Sequence, residues 1–221
     1  MHIAIAGNIG SGKTTLTTLL AQHYGWTPKF ESVAQNPYLD DFYENMPRWS
    51  FNLEVFFLKE RFKDVLAIDQ SEEHIVQDRS IFEGVHVFSA NNRDMGNLDD
   101  RDFSTYMELF ETMTAMVSAP DLMVYLRASV PHLVNNIQKR GRDYEQTMPI
   151  DYLENLNRRY EEFIFEKYTG RVLVIEVDTL DFQQNPADFA GIVDRIDAEL
   201  FGLFNHPNLP PNSTSPPCTL P

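Results

Sequence analysis

A glycine-rich loop close to the N-terminus restricts the possible fold more than any other feature of the sequence. Residues 7–14 read Gly-Asn-Ile-Gly-Ser-Gly-Lys-Thr, a complete G-x-x-x-x-G-K-[ST] motif. The motif follows the apolar run His2–Ala6 and precedes a helix-like segment that contains Leu16, Leu19 and Leu20. Because a phosphate-binding loop of this kind joins a strand to a helix, motif and context together disfavour an accidental glycine-rich turn. We therefore predict an α/β fold that begins with this loop.

The chemistry of the loop follows from its backbone and from its last two residues. Glycines let main-chain N–H groups turn inward around phosphate oxygens, and the helix N-terminus adds partial positive charge. Lys13 is placed to reach the β- and γ-phosphates, and the Thr14 hydroxyl can ligate Mg²⁺. The residues predicted to bind the nucleoside triphosphate are Gly7, Asn8, Ile9, Gly10, Ser11, Gly12, Lys13, Thr14 and Thr15.

The rest of the chain alternates short apolar runs with longer helix-like stretches. The strand-like runs are rich in Val and Ile, as expected for strands buried on both faces. They are His2–Ala6, Trp26–Glu31, His74–Gln77, Asp121–Leu126 and Arg171–Val177. The helix-like stretches are Thr14–Tyr24, Arg48–Gln70, Asp102–Ser118, Val130–Arg140, Ile150–Lys167 and Pro186–Leu203. This alternation predicts a parallel sheet sandwiched by helices.

The composition of the 221-residue chain limits its partners. A formal net charge of −15 repels a phosphate backbone, so nucleic acid is not expected as a partner. The single cysteine, Cys218, gives no disulfide framework. The N-terminal residues do not have the pattern of a signal peptide. No apolar run approaches the ~20 residues that span a bilayer. We expect one cytoplasmic domain over residues 1–204, without membrane contact, and a disordered tail over residues 205–221.

Charged residues end two of the strand-like runs. Asp78 and Arg79 follow the third run, and ligands in open α/β sheets gather at the carboxyl ends of strands. Asp78 could hold Mg²⁺ and Arg79 could offset charge on a transferred phosphoryl group; a surface ion pair is the alternative. Glu31 ends the second run, where a carboxylate near the γ-phosphate would suit abstraction of a hydroxyl proton. The alternative for Glu31 is a solvated strand end.

A cluster of cations follows the fourth helix-like stretch. Lys139, Arg140 and Arg142 surround Gly141 in an otherwise acidic protein. Arginines on a segment that closes over phosphates stabilise the equatorial oxygens and exclude water. The alternative is a basic helix C-terminus that interacts with the helix macrodipole. Two arginines around a glycine favour the lid.

Taken together, these motifs resemble the deoxyribonucleoside kinase family, from about Met1 to Phe204. Residues 7–14 match the phosphate loop of that family, Glu31 matches its general base for the 5′-hydroxyl, and Asp-Arg-Ser at 78–80 matches its D/E-R-S motif. Arg-Gly-Arg-Asp-Tyr-Glu-Gln at 140–146 resembles its lid. The resemblance implies a P-loop NTPase fold with a five-stranded parallel sheet, flanking helices and an arginine-rich lid. It also implies ATP as phosphate donor, Mg²⁺ as cofactor, a small-molecule nucleoside as acceptor, and a homodimer.

The same resemblance assigns roles to individual residues. Glu31 would accept the proton of the 5′-hydroxyl, while the cations that stabilise the moving phosphoryl group would be Lys13, Arg79, Arg140 and Arg142. Mg²⁺ would bind at Thr14 and Asp78. Tyr43, six residues before Trp-Ser-Phe at 49–51, would bind the 3′-hydroxyl together with Glu145. Phe88 would stack on the base. The resemblance therefore implies that the chain is a kinase for deoxynucleosides.

Departures from the family pattern favour a purine acceptor. Where the family usually has a glutamine that reads the base edge, this chain has Glu54, whose ionised carboxylate accepts hydrogen bonds from two donors. Guanine presents such a pair. Gly84 stands where many relatives carry a carboxylate that pairs with Arg61, so Arg61 would be free to contact guanine O6 and N7, and Gly84 would leave room for a purine. Deoxyguanosine is therefore slightly favoured over deoxyadenosine; the alternatives are that Glu54 neutralises Arg61, or that Glu83 pairs with it.

Two other activities use the same phosphate loop. A nucleoside monophosphate kinase of the thymidylate kinase type also carries an Asp-Arg motif, but it should offer basic residues to the acceptor phosphate where this chain offers Glu31. A nucleotide-dependent regulatory binding protein of the GTP-switch type should carry N-K-x-D and D-x-x-G motifs. The sequence contains no N-K-x-D, and its one D-x-x-G match, at residues 188–191, falls inside a helix-like stretch. Both alternatives are therefore disfavoured relative to a deoxynucleoside kinase.

Overall fold

A computed structural model describes residues 1–31, 36–142, 145 and 148–202. Its strands are β1 (His2–Gly7), β2 (Thr27–Lys29), β3 (Ile75–Asp78), β4 (Leu122–Arg127) and β5 (Val172–Glu176). They form one five-stranded sheet in the order β2-β3-β1-β4-β5, and every pair of neighbours is parallel. The predicted parallel sheet is confirmed.

Helices follow each strand. They are α1 (Lys13–Tyr24), α2 (Leu39–Glu44), α3 (Met46–Asp69), α4 (Ala90–Asp94), α5 (Asp100–Thr114), α6 (Val130–Arg140), α7 (Ile150–Glu162) and α8 (Pro186–Phe201). Two π-helical segments, Gly84–Ser89 and Phe163–Lys167, precede α4 and extend α7 respectively. All six predicted helix-like stretches are present, whereas α2 and the segment from 84 to 94 were not predicted.

Local sequence explains where several helices begin and end. The Asn45 side chain accepts a hydrogen bond from the Arg48 N–H, and Pro47 occupies the first turn, so α3 begins before the position that the sequence predicted. Both features stabilise a helix N-terminus. At the other end of α6, Gly141 adopts a φ of 67° and its N–H bonds the Ile137 carbonyl. The left-handed conformation stops the helix and turns the chain toward the lid.

The two faces of the sheet pack against different helices. On one face, β1 and β4 bury Ile3, Ile5 and Val124 against Leu16 and Leu20 of α1, with α8 completing the layer. On the other face, residues of β1 and β4 pack against α7 and the first π-helical segment, in the cluster Ala6, Val87, Phe88, Met123, Tyr125, Tyr152, Leu156, Tyr160 and Phe163. The sheet is therefore the middle layer of three, as expected when strands are buried on both sides.

The strand order places the carboxyl ends of three strands around one point. β1 lies between β3 and β4, with Ile5 opposite Asp78 and Gly7 opposite Leu126. The chain passes from one side of β1 to the other between β3 and β4, which makes this edge the switch point where ligands of open α/β sheets bind. The phosphate loop and Asp78 consequently lie at the same edge.

The described residues bear on two further expectations. None of the helices among them combines the length and the apolar character needed to cross a lipid bilayer. The end of the predicted domain at residue 204, and the predicted tail at 205–221, lie outside the described residues.

Candidate active site

Two adjoining cavities lie at the carboxyl edge of the sheet. The first, of about 270 Å³, brings together predicted residues from along the whole chain: Ile9, Gly10, Lys13, Thr14, Glu31, Tyr43, Glu54, Arg61, Asp78, Arg79, Phe88, Arg140, Arg142 and Glu145. The second, of about 810 Å³, lies between the phosphate loop, α6 and the loop that follows β5. Both cavities are lined by Gly10, Lys13, Thr14, Arg140 and Arg142. Two molecules, one in each cavity, would therefore meet beside the three cations of this set, Lys13, Arg140 and Arg142.

The phosphate loop is held in shape by glycine conformations and by hydrogen bonds with residues distant in the sequence. Gly10 and Gly12 adopt φ values of 85° and 94°, and a Cβ on Gly10 would approach the Leu133 carbonyl oxygen to 2.8 Å. The Asn8 side chain donates to the Leu153 carbonyl oxygen at 3.0 Å and to Asn157 at 2.6 Å. Asn136 of α6 donates to the Gly10 carbonyl oxygen at 2.9 Å. Side chains from α6 and α7 thus fix the loop before any ligand arrives.

Lys13 lies folded back on the phosphate loop. Its Nζ donates to the Asn8 carbonyl oxygen at 2.8 Å, and the residue is buried. Burial, together with the charge of Arg79, lowers the pKa of Lys13 to about 7. An anionic phosphate beside the ammonium group would raise that pKa and keep the charge that phosphate binding needs.

Thr14 and Asp78 meet at the boundary between the two cavities. The Thr14 hydroxyl donates to Asp78 Oδ2 at 2.5 Å, and burial raises the pKa of Asp78 against the opposing charge of Lys13. Within the described ranges no group of three or more His, Cys, Asp or Glu residues could form a metal cage. One carboxylate and one hydroxyl nevertheless suit Mg²⁺, which commonly takes its other ligands from water and substrate phosphates. The predicted pair therefore fits the ion.

Glu31 is clamped by two arginines. Arg61 donates to Glu31 Oε1 through Nε at 3.2 Å and also through Nη2, and the Nε of Arg79 lies 3.6 Å from Oε2. Burial alone would raise the pKa of Glu31, but the charges of Arg79 and Arg61, with the hydrogen bonds from Arg61, lower it to about 2. The carboxylate is therefore ionised and fixed in position on the wall of the first cavity.

Arg79 has a strained backbone and a constrained side chain. Its φ of 65° lies in the left-handed region, and its N–H is anchored on the Ile5 carbonyl oxygen at 3.1 Å. A non-glycine residue there costs on the order of 1 kcal/mol. The guanidinium carbon lies 4.1 Å from the ring centroid of Phe88. The strain is balanced by contacts that aim the guanidinium into the cleft.

Glu54 lies on the wall of the first cavity, as predicted for a residue that contacts the base. It is 3% exposed; Ser89 donates to Oε2 at 2.8 Å and Asn92 donates to Oε1 at 3.0 Å. No ion pair joins Glu54 to Arg61 among the residues that the structure describes, so the expected alternative of mutual neutralisation through an ion pair is not found. Burial raises the pKa of Glu54 to about 7, against the hydrogen bond from Ser89 and the charge of Arg61.

The structure corrects two expectations about Arg61 and Gly84. Arg61 is not free to contact a base, because its guanidinium already donates to Glu31. Gly84 is absent from the cavity lining, and a Cβ there would lie 3.0 Å from the Tyr106 hydroxyl and 3.2 Å from Arg61 Nη1. The missing side chain therefore makes room for Arg61 and Tyr106 rather than for a ligand. Glu83, the other proposed partner of Arg61, instead accepts from Ser80 N at 3.0 Å and Tyr160 at 2.7 Å.

The described part of the lid folds over the cavity with its charges paired. Arg140 donates to Glu145 through Nε at 3.1 Å and Nη2 at 2.6 Å, and Arg142 donates to the same carboxylate at 3.4 Å. Tyr43 lines the cavity from α2. The predicted lid residues Asp143, Tyr144 and Gln146 lie outside the described residues. Bound phosphate would offer the two arginines a second anion.

Several residues of the site were not predicted. The first cavity is also lined by the aromatic residues Phe30, Phe42, Phe57 and Tyr152. Ser89 and Asn92, which hold Glu54, belong to the unpredicted segment from 84 to 94. Asn136 and Asn157 support the phosphate loop from more than 120 residues away. No short motif marks these positions, because each acquires its role only through tertiary packing.

This geometry defines a class of protein. A phosphate-binding loop lines two adjoining cavities that share a set of cations, and a largely buried, ionised carboxylate lines one of the two. Such a site belongs to a P-loop phosphotransferase with two small-molecule substrates. It differs from a nucleotide switch, which needs no second cavity.

Comparison with known proteins identifies the family. The deoxynucleoside kinase family model matches residues 3–201. A deoxyadenosine/deoxycytidine kinase of Bacillus subtilis is 37% identical over 196 residues, which cover 88% of this chain and 90% of the relative. A deoxyguanosine kinase of the same organism is 36% identical over 194 residues, which cover 86% of this chain and 93% of the relative. The chain belongs to the deoxynucleoside kinase family, and its activity class is that of a deoxynucleoside kinase.

A solved structure supports the same assignment at the level of the fold. The deoxyadenosine kinase of M. mycoides, with the products dCMP and a flexible dCDP bound, superposes with a TM-score of 0.80 at 29% sequence identity. The match covers 90% of this chain and 100% of that protein. The predicted P-loop NTPase fold is therefore confirmed.

Proposed function

We propose that this enzyme transfers the γ-phosphate of ATP, with Mg²⁺, to the 5′-hydroxyl of purine deoxynucleosides. One observation carries the proposal: the Glu31 carboxylate lies in the first cavity, ionised and fixed by Arg61 and Arg79, across from the phosphate loop. A carboxylate there would repel a phosphorylated acceptor and would accept the proton of a neutral hydroxyl. The acceptor is therefore a nucleoside rather than a nucleoside monophosphate.

Each substrate has a cavity that suits its chemistry. The second cavity, with the phosphate loop at one end, receives the triphosphate donor. The first cavity receives the nucleoside, with Tyr43 and Glu145 on the sugar and Phe88 against the base. A nucleoside monophosphate among the products bound to the M. mycoides relative supports a nucleoside acceptor here. The 5′-hydroxyl would then point toward Lys13 at the junction.

The mechanism is in-line phosphoryl transfer, in which the protein positions the substrates and stabilises charge but forms no covalent intermediate. Glu31 accepts the proton of the 5′-hydroxyl as the new O–P bond forms; because its pKa is low, the proton moves late in the step. Lys13, Arg79, Arg140 and Arg142 stabilise charge on the equatorial oxygens. When bound at Thr14 and Asp78, Mg²⁺ would neutralise charge on the β- and γ-phosphates. The lid excludes water, which suppresses hydrolysis of the donor.

Recognition of the base is assigned to Glu54. Its ionised carboxylate accepts two parallel donors, as guanine offers at N1 and the 2-amino group. Deoxyguanosine is accordingly slightly favoured over deoxyadenosine when Glu54 is ionised. The relatives include kinases named for deoxyadenosine and for deoxyguanosine, so the choice rests on this residue and not on the family.

An acceptor panel tests the proposed function. The four deoxynucleosides, their ribose counterparts and dGMP are each incubated with saturating ATP and Mg²⁺, and ADP release is measured. We expect purine deoxynucleosides to give the highest kcat/KM and dGMP to give none above background. Preferential phosphorylation of dGMP would replace the proposal with a monophosphate kinase. ADP release without any acceptor, at the rate seen with acceptor, would instead indicate a nucleotide hydrolase.

Removing the carboxylate of Asp78 tests the metal site. We expect Asp78→Asn to raise the Mg²⁺ concentration for half-maximal activity by about tenfold or more, because a neutral amide is a weaker ligand than a carboxylate for a hard cation. Rates are measured over a Mg²⁺ titration at fixed ATP. Asp100→Asn, an exposed aspartate on α5, is the matched control and should leave the titration unchanged. An unshifted curve for Asp78→Asn would exclude Asp78 as a ligand.

The oligomeric state is a separate proposal that rests on the family resemblance. We propose that the enzyme is a homodimer. Analytical ultracentrifugation over a range of protein concentrations measures this directly, and a single species at 25.6 kDa, the mass of one chain, would overturn it.

A further inference from the structure

Glu54 differs from Glu31, which lines the same cavity, in the partners that hold it. Both of its oxygens accept hydrogen bonds from neutral groups, the hydroxyl of Ser89 at 2.8 Å and the amide of Asn92 at 3.0 Å. Glu31, by contrast, is held by two arginines. Among the described residues no cation forms an ion pair with Glu54. It is a buried acid without a counter-ion, on the wall of the acceptor cavity.

The groups around Glu54 leave its charge poorly compensated. Arg61, on the same helix, and Arg79, at the end of β3, both face it but are engaged by Glu31. From α5 and α7 the nearest titratable groups are the phenols of Tyr106 and Tyr152, whose pKa values burial raises, so both are neutral around pH 7. Burial without a dedicated cation favours the protonated form of a carboxyl group. For Glu54 it raises the pKa to about 7.

The two protonation states present different patterns to a ligand. A carboxylate has roughly four lone-pair positions, so after Ser89 and Asn92 are bound each oxygen still has one acceptor position for the base. The anion therefore accepts two parallel donors, which guanine supplies. The neutral acid accepts at one oxygen and donates from the other, which matches the adjacent donor and acceptor on the edge of adenine or cytosine.

We propose that Ser89 and Asn92 hold Glu54 as a two-state reader of the acceptor base, so that the ionised enzyme selects deoxyguanosine and the protonated enzyme selects deoxyadenosine. The proposal rests on the proposed function, because it takes the deoxynucleoside as acceptor. Ser89 and Asn92 touch no base themselves. They are positioning residues that act through the carboxylate.

The direction of the pH effect follows from the sign of the shift. Glu54 carries a proton below a pKa raised to about 7 and is ionised above it. The ratio of kcat/KM for deoxyguanosine to that for deoxyadenosine should therefore rise with pH. Because kcat/KM reports the free enzyme, the change reflects Glu54 before the nucleoside binds. Mismatched hydrogen-bond patterns at a buried polar site discriminate strongly, so we expect the ratio to change about tenfold or more between pH 6 and 8.

An internal competition measures this ratio without interference from other titrations. Equal concentrations of deoxyguanosine and deoxyadenosine react in one tube with ATP and Mg²⁺, and the two monophosphates are separated and quantified at early time points from pH 6 to 8. Effects of pH on ATP, on Mg²⁺ binding and on the chemical step act on both products and cancel in the ratio. The ratio in the wild-type enzyme should rise steadily with pH.

Two variants test whether the pH dependence of the product ratio comes from the proposed residues. Glu54→Gln removes the titrating group and keeps the shape, so the ratio should become independent of pH and move toward deoxyadenosine. Ser89→Ala removes one donor that stabilises the anion, so the pH at which the ratio changes should move upward. Ser50→Ala is the matched control, because Ser50 is a buried serine on α3 whose hydroxyl bonds the Met46 carbonyl oxygen. Its profile should equal that of the wild type.

The outcomes separate this proposal from the proposed function. A wild-type ratio that is constant or falls with pH overturns the two-state reader, and so does a Glu54→Gln enzyme that keeps the wild-type slope. Either result leaves the kinase activity standing. Failure to phosphorylate any deoxynucleoside at any pH would overturn the proposed function instead.

Discussion

Replacing Glu31 with glutamine is expected to lower kcat for deoxynucleoside phosphorylation by about 100- to 10,000-fold, the range in which a positioned general base contributes. Glutamine keeps the shape of the side chain and can still accept a hydrogen bond from Arg61, but it cannot take up the proton of the 5′-hydroxyl. The KM for ATP should change little, because Glu31 lines the first cavity and not the second, which is the cavity proposed for the donor. Steady-state rates with deoxyguanosine and ATP measure both parameters.

The loss in Glu31→Gln must be separated from a loss of folding. The variant leaves two buried arginines without their carboxylate, and an unpaired buried charge is destabilising. Thermal unfolding followed by circular dichroism shows whether the protein is folded at the assay temperature. Glu161→Gln is the matched control, since it removes the carboxylate that Arg127 binds at 2.8 Å on another part of the surface. Glu161→Gln should keep wild-type kcat; near-normal turnover in Glu31→Gln would remove Glu31 from the mechanism.

The same clamp predicts how the rate depends on pH. The pKa of Glu31 is lowered to about 2, so the group is ionised and competent at every pH above that value. It contributes no acid limb to kcat between pH 5 and 9. A pH dependence of base selectivity in that range therefore points to Glu54 and not to the general base.

The fold could be predicted because its signals are local. The motif at residues 7–14 predicts the strand before it, the loop itself and the helix after it. Apolar runs predict the position of every strand to within a few residues. The segment Gly84–Ser89 was missed for a physical reason: a π-helix repeats at i+5, so its buried residues do not show the 3.6-residue period by which helices are recognised. The helix α2 has only six residues, too few to show a period.

The candidate site was predictable only where a residue ends a strand or lies in a motif. Asp78 is the last residue of β3 and Arg79 follows it directly, so strand topology brings them to the phosphate loop. Arg61 shows the limit of such reasoning. The absence of a carboxylate at position 84 correctly indicated that Arg61 lacks that partner, but its actual partner, Glu31, lies 30 residues earlier and could be found only from the folded chain.

Replacing Arg79 with alanine is expected to reduce kcat by about 100-fold or more, because in the proposed mechanism the guanidinium stabilises charge on the transferred phosphoryl group. Alanine keeps the Cβ, so the strain at a φ of 65° is similar in both proteins and cannot explain a loss of rate. Arg93→Ala is the matched control: Arg93 also lies over a phenyl ring, that of Phe103, and pairs with Asp100, but outside the cleft. A loss of similar size in both variants would indicate that structure, not chemistry, is affected.

Combining Glu31→Gln with Arg79→Ala tests whether the two residues act on one step. Their side chains approach to 3.6 Å, and residues in contact that serve the same transition state are strongly non-additive. We expect the double variant to be little slower than the slower single variant. Because the charge of Arg79 helps to keep Glu31 ionised and in position, losing the arginine also impairs the base, and the two losses overlap. If the two reductions in kcat instead multiply, the carboxylate and the guanidinium act independently. That result would contradict the proposal that both residues serve one step, where the hydroxyl meets the phosphate.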